Sequence, residues 1–278
     1  MKALVLGASG ILGKKIVDAL AEEIEVIAGY RDLSKVIEKS NVSNIYFDYT
    51  NEESTSLAIE NIDRVVIIAP SLDFNSYEKI SPFIEKLKIK QIKKVVLVSA
   101  LGMNLNDEAP LRKAELDLIK YDFDYTILRP NFFMENYSEG GFSSFKATGE
   151  LALCTGNGKT SFISAIDIAK VVTKVILNEK YNKKEFNITG NKAISIEESI
   201  NIINKKLNTN YTYTNIEAYT LEKNLLSVGM PKSNVEFLIM LLNFIKYGYM
   251  ATITNDVKEI LGEEPMSFEE FTSKYINM

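Results

Sequence analysis

The run Gly7-Ala-Ser-Gly10-Ile-Leu-Gly13 constrains this chain more than any other segment. The apolar residues Ala3 to Leu6 precede it, and Lys14-Lys-Ile-Val-Asp-Ala-Leu20 follows with helical spacing. That order predicts strand, tight turn, helix. Glycine tolerates a left-handed turn and lets one backbone approach another. A helix that begins on bare N–H groups is a seat for phosphate. In this context the first glycine makes the turn, the second admits a diphosphate and the third lets helix pack on strand. Gly7, Ala8, Ser9, Gly10, Ile11, Leu12 and Gly13 are therefore the first candidate dinucleotide-binding residues.

Short runs rich in Val, Ile and Leu recur at 3–6, 25–28, 44–47, 64–69, 94–98 and 125–128. They read as strands covered on both faces. Helical stretches fall between them at 10–21, 52–59, 77–88 and 111–120. Alternation of this kind predicts an α/β fold, a Rossmann-type doubly wound parallel sheet. Beyond Pro130 the pattern loosens. Gly156-Asn-Gly158 predicts a hairpin turn joining strands at 151–154 and 160–164, followed by a helix at 166–177 and a strand at 185–188. Thr50-Asn-Glu-Glu53, Ser195-Ile-Glu-Glu198 and Ser267-Phe-Glu-Glu270 have capping-box form and should open helices. The expected division is a dinucleotide-binding domain at 1–150, its sheet completed by segments within 160–190, and a smaller, mostly helical C-terminal lobe on the substrate side at 151–278. The apolar segment 235–250, broken by Glu236, Asn243 and Lys246, is too short and too charged to span a bilayer. It reads as a buried or pocket-lining helix.

In such sheets ligands bind beyond the carboxyl ends of the strands. Gly7, Gly29 to Arg31, Asp48, Ala69-Pro70, Ser99 and Arg129 to Asn131 occupy those ends. NAD-preferring folds place an acid after the second strand to hold the ribose hydroxyl. Here that place reads Gly29-Tyr-Arg31-Asp-Leu-Ser-Lys35. A guanidinium grips a 2′-phosphate that a carboxylate would repel. Arg31, with Lys35 on the same side of a following helical turn, thus favours NADP(H) over NAD(H). Asp48 is a further cofactor candidate, equally able to accept from an adenine amino group or to cap the next helix. Ala69, Pro70 and Ser99 complete the set.

Composition removes other classes. The chain has 0 His, so no histidine-based triad, Cys-His pair or histidine-ligated zinc can form. Its net charge of −5 argues against a nucleic-acid partner. One cysteine, Cys154, and no apolar leader segment point to the cytoplasm, with no membrane partner. The expected partner is a small molecule, with a homodimer as a possible assembly.

The motifs together are similar to those of the atypical short-chain dehydrogenase/reductases, in their NmrA-like branch. The likeness is carried by the glycine run, Arg31-Asp-Leu-Ser-Lys35, Val95-Val-Leu-Val-Ser-Ala100, Tyr125-Thr-Ile-Leu-Arg-Pro130-Asn-Phe-Phe-Met-Glu-Asn136, Gly156-Asn-Gly-Lys159 and Ala165-Ile-Asp-Ile-Ala169. It extends over essentially the whole chain. Arg31 and Glu135-Asn136-Tyr137 resemble most the NADPH:quinone oxidoreductase members.

The resemblance implies a Tyr-x-x-x-Lys dyad working with a serine. Ser99 matches the serine, but the tyrosine and lysine places fall at Asp107 and Leu111. The pair Tyr219 and Lys223 has the spacing without the context and reads as coincidence. The missing dyad argues against a nucleotide-sugar epimerase. A quinone can take hydride directly and its proton from water. The expected activity is therefore NADPH-dependent reduction of a quinone or similar electrophile, and the competing reading is a non-catalytic NADP(H) sensor. No catalytic residue is assigned. Ser99, Asn131, Asn136 and Tyr137 are candidates near substrate, and Phe132, Phe133, Tyr137 and Phe142 are candidate aromatic walls, with the interlobe core as their alternative fate.

Overall fold

The computed structural model describes residues 1–36, 38–70 and 72–276. Six strands form first: β1 (Lys2–Val5), β2 (Glu25–Tyr30), β3 (Val42–Tyr46), β4 (Arg64–Ile68), β5 (Lys94–Val98) and β6 (Asp124–Pro130). Then come β7 (Glu150–Leu153), β8 (Lys159–Thr160), β9 (Lys184–Ile188), β10 (Ile194–Ser195) and β11 (Thr212–Asn215). The helices are α1 (Ile11–Leu20), α2 (Glu52–Ala58), α3 (Ser76–Ile89), α4 (Pro110–Lys120), α5 (Phe145–Thr148), α6 (Ala165–Ile176), α7 (Ile196–Leu207), α8 (Ala218–Ser227), α9 (Lys232–Lys246), α10 (Asp256–Leu261) and α11 (Phe268–Tyr275).

The main sheet runs β3-β2-β1-β4-β5-β6-β9, with every pair parallel. The order reverses between β1 and β4, and an α/β sheet opens its ligand crevice at that point. Alternate residues of the central strands serve two cores. Ala3 and Val5 join Leu12, Ile16, Val171 and Val172 beneath α1 and α6. Leu4 and Leu6 join Phe83, Ile84, Leu97 and Leu118 beneath α3 and α4. Burial on both faces explains why these strands read as unbroken apolar runs. A third core, with Tyr137, Phe145, Phe162, Ile200, Leu242 and Phe271, fills the C-terminal lobe. Both α6 and β9 lie beyond residue 150 yet pack into the sheet layer.

Two local expectations are corrected. The hairpin at Gly156-Asn-Gly158 does not form. Instead β7 pairs in parallel with β11, and β8 pairs antiparallel with β10. A Cβ on Gly158 would overlap the Ile245 carbonyl at the end of α9, so that glycine serves close packing and not a hairpin. At the second helix the cap is Asn51, whose side chain accepts from Ser54 N at 2.8 Å, and not Thr50. The Ser195 capping box has both of its arms, and Ser267 caps α11.

Candidate functional site

Gly7 turns the chain with φ +72°, which only glycine adopts without strain. Gly13 lies so close beneath it that a Cβ there would overlap the Gly7 carbonyl and stand 2.9 Å from Ala8 Cα. Gly10 differs. The nearest atom to a Cβ there would be Gly7 O at 3.4 Å, so protein packing does not demand glycine at this position. Gly7, Ser9 and Gly10 are exposed, while Leu6, Ala8, Leu12 and Gly13 are buried and Ile11 half-buried. Gly10 caps α1 without a side-chain acceptor, and no acid stands in the first turn. The helix thus presents bare N–H groups and the positive end of its dipole at an exposed glycine corner. That construction fits a diphosphate.

Arg31 follows β2 and is exposed, and it makes no ion pair among the described residues. Leu33–Lys35 forms the expected turn, but Lys35 Nζ lies 3.7 Å from Asp32. Asp32 also accepts from Ser34 N and Oγ, and these bonds hold its carboxyl below the usual range. Of the two cations, Arg31 is the uncommitted one. Asp48 accepts from Thr50 N at 2.8 Å and from Thr50 Oγ1 at 2.7 Å. Those bonds, aided by the field of Arg31, lower its pKa. Its carboxylate heads the turn into α2 but does not cap that helix. Ala69 and Pro70 are half-buried just beyond β4.

Ser99, the residue after β5, is buried, and its hydroxyl donates to Glu115 Oε1 at 2.5 Å. Glu115 is fully buried and held by Arg129, Nε to Oε1 at 2.9 Å and NH2 to Oε2 at 2.6 Å, and by Arg112 NH1 at 3.0 Å. Arg129 also reaches Glu185 at 2.5 Å, and Arg112 reaches Asp107 at 2.9 Å. An ion network stands where a tyrosine–lysine dyad would work. Sequence reading missed it. The sequence carries no local signal for it, because Glu115 on α4 and Arg129 on β6 meet only in the fold.

Several proposed pocket residues prove structural. Tyr137 is fully buried among Phe142, Phe162 and Phe268 at ring separations of 5.1–5.4 Å, and its hydroxyl meets Ser199 Oγ at 2.5 Å. Burial drives its pKa upward, so it neither walls a pocket nor serves as an acid at neutral pH. Phe142 is buried in the same cluster. Asn131 is buried too, donating at 2.8 Å to both Ser161 Oγ and Met250 O and accepting from Phe132 N and Thr160 Oγ1. It is a clamp, not a free polar handle. Phe132 packs against the lobe's core and Phe133 against the sheet's, both half-buried, and Asn136 is half-buried beside Gly140.

A different aromatic pair bridges the two halves. Phe74, beyond β4, meets Phe237 of α9 at 4.7 Å between ring centroids. Helix α9 buries Val235 and turns Leu242 and Ile245 into the lobe's core. Phe237, Met240 and Leu241, half-buried, occupy a second face about a third of a turn away. The apolar segment 235–250, though broken by Glu236, Asn243 and Lys246, was the sequence signal for this helix.

Comparison with known proteins agrees with this geometry. A family model described as NAD(P)H-binding matches residues 7–179, and one described as NmrA-like family matches residues 111–272. The chain is 28% identical to prestalk A differentiation protein A of Dictyostelium discoideum, over 99% of this chain and 92% of that one. It is 26% identical to the uncharacterized oxidoreductase YesF of Bacillus subtilis, over 98% of this chain and 94% of that one. Among solved structures, triphenylmethane reductase of Citrobacter sp. complexed with NADP(H) superposes with a TM-score of 0.86 at 18% identity, covering 99% of this chain and 100% of that one. The NADPH-dependent quinone oxidoreductase QOR2 of Escherichia coli superposes with 0.85 at 21% identity over 100% of both chains. The glycine corner, the reversed strand order and the two family matches lead to one statement: the chain belongs to the NmrA-like family of NAD(P)H-binding proteins.

Proposed function

We propose that this protein is an NADPH-dependent reductase that passes hydride to a quinone or similar small electrophile. The observation that carries this reading is an exposed glycine corner at the start of α1, together with Arg31, an exposed guanidinium without an ion-pair partner among the described residues. The backbone of Gly7 to Gly13 would hold the diphosphate and Arg31 the 2′-phosphate. When bound, the dinucleotide supplies the hydride.

The chain's own contribution is to bind, orient and exclude water. Gly10 leaves room for close backbone approach, and the bare N–H groups of α1 fix the anion without recruiting a side chain. Phe74 with Phe237, Met240 and Leu241 offers apolar cover of the kind that shields a reactive centre from solvent. Asp107 and Leu111 stand at the dyad positions, so this edge carries no tyrosine–lysine proton donor. An electrophile that takes hydride without enzymatic protonation suits such a site, and the two solved neighbours are a triphenylmethane reductase and a quinone oxidoreductase.

Calorimetry with NADPH and NADH, followed by NADPH oxidation with menadione and benzoquinone, tests the proposal. Tight NADPH binding with quinone-dependent turnover is expected. Tight binding with no turnover against any acceptor would replace it with the sensor reading, and no dinucleotide binding would remove both.

A further inference from the structure

We infer that a cavity between α1, α6 and α11 is a binding site for a small organic ammonium ion whose apolar body is about one aromatic ring in size. The cavity lies on the α1–α6 face of the sheet, away from α4 and the Glu115 network, and its occupancy does not depend on the reductase reading. Its volume is about 220 Å³. An apolar cavity of about 150 Å³ accommodates benzene, so this one has room for a ring and a polar head. Ile166, Phe271 and Tyr275 form its apolar wall, the two rings 5.4 Å apart. Glu139 and Tyr275 are exposed, which gives a ligand a way in.

The polar wall selects the charge. Glu135 lines the cavity and is itself only 1% exposed. Its Oε1 accepts from Ser164 Oγ at 2.9 Å and its Oε2 from Ala165 N at 2.8 Å, but it has no ion pair among the described residues. Each oxygen keeps a lone pair for a further donor. Despite those two donors and the field of Lys15, burial holds the carboxyl above its usual range. Such a carboxylate is short of countercharge. Lys15, the cation of this wall, is paired with Glu139 at 3.3 Å. Two carboxylates thus share one ammonium group, and the cavity carries one net negative charge. An anion would meet both carboxylates, and a neutral ring would leave Glu135 as it is. A cation with an apolar body gains from both walls, since its N–H groups reach the free lone pairs and aromatic faces attract positive charge.

Titration of the full chain with benzylammonium, followed by backbone amide chemical shifts at neutral pH, tests this, with benzyl alcohol and benzoate as the neutral and anionic controls. Benzylammonium should bind saturably and move the amide of Ala165, whose hydrogen Glu135 accepts. It should bind about tenfold or more tightly than either control, the size of one charge-assisted hydrogen bond. Benzyl alcohol bound as tightly would reduce the site to an apolar hole and overturn the assignment, as would shifts at Ala165 that are absent or do not saturate. Glu135→Gln should weaken benzylammonium by about tenfold. Should that variant not fold, Lys15→Met keeps the test decisive: it frees Glu139 for the ligand and should tighten binding about threefold, and unchanged or weaker binding would refute the assignment. No coenzyme is present in these titrations, so their outcome stands apart from that of the reductase proposal.

Discussion

The glycine corner after β1 and the edge after β5 stand on the same rim of the sheet and are built on opposite plans. At the corner the chain leaves its own groups unanswered: bare N–H groups, an exposed Gly10, and an arginine without an ion-pair partner among the described residues. At the edge every charge is answered, Ser99 by Glu115 and Glu115 by two guanidiniums. Unmet demand is what the proposed dinucleotide would answer, whereas satisfied demand ties the chain to itself. The same contrast separates two buried cations. Arg129 is paired twice over. Lys94, buried on β5 at the far end of the sheet, has only Thr126 and Asn182 as hydrogen-bond partners and no ion pair among the described residues.

The edge can be broken hardest. Glu115→Ala leaves Arg129 buried beside an empty space and should cost about 3–5 kcal/mol in urea unfolding. A cost under about 1 kcal/mol would mean that the network holds nothing together.

Lys94 gives the counter-case and a pH dependence. Burial depresses its pKa to about 8 from 10.5, so the charged form is disfavoured in the folded state. Between pH 8 and 10.5 the unfolded chain retains a proton that the folded chain has released, so stability rises with pH across that window. Lys94→Met should therefore stabilise the protein by about 1–3 kcal/mol at pH 7, with the gain vanishing as pH approaches 10.5. Thermal melts at pH 7 and 10 measure it.

At the corner, two neighbouring glycines should separate folding from binding. Gly13→Ala forces a methyl into the Gly7 carbonyl and should destabilise by about 1–3 kcal/mol. Gly10→Ala should change stability by no more than about 0.5 kcal/mol, yet weaken dinucleotide binding about tenfold or more. Equal effects of the two on folding would erase the distinction between them. Arg31→Asp should shift preference from NADPH toward NADH by about 1–3 kcal/mol in calorimetric titration. An unchanged preference would take Arg31 out of the site.

Much of the fold is legible in the residues alone. The central strands of the first half announce themselves because burial on both faces favours Val, Ile and Leu, whereas β3, at the sheet edge, has no buried residue and a more polar sequence. The glycine corner is legible for a related reason, since few residue types can occupy a turn at φ +72° or a site pressed against a carbonyl. The aromatics are not. Tyr137 and Phe142 carry no local mark that distinguishes a pocket wall from a core, and only the arrival of Phe268 from the far end of the chain decides the matter. Gly158 misleads for the same cause, because the carbonyl that requires it belongs to α9, distant in sequence. Glu115 and Arg129 also meet only in three dimensions, on a helix and a strand whose separate patterns reveal neither partner.

A cradle made of main chain has one consequence for how such a protein can change. Side chains around it are free to be exchanged, because the atoms that would grasp the phosphates are common to every amino acid. Affinity for a diphosphate held there would be nearly indifferent to mutation, apart from Gly7, whose φ of +72° disfavours any side chain, Gly10, where a Cβ would stand in the way of the approaching phosphate, and Gly13, whose Cβ would overlap the Gly7 carbonyl. Under the proposed function, discrimination between the two coenzymes would hang on the Arg31 guanidinium and could be rewritten in a single step. A protein so built would keep its grip on a class of coenzyme while remaining able to switch between its members.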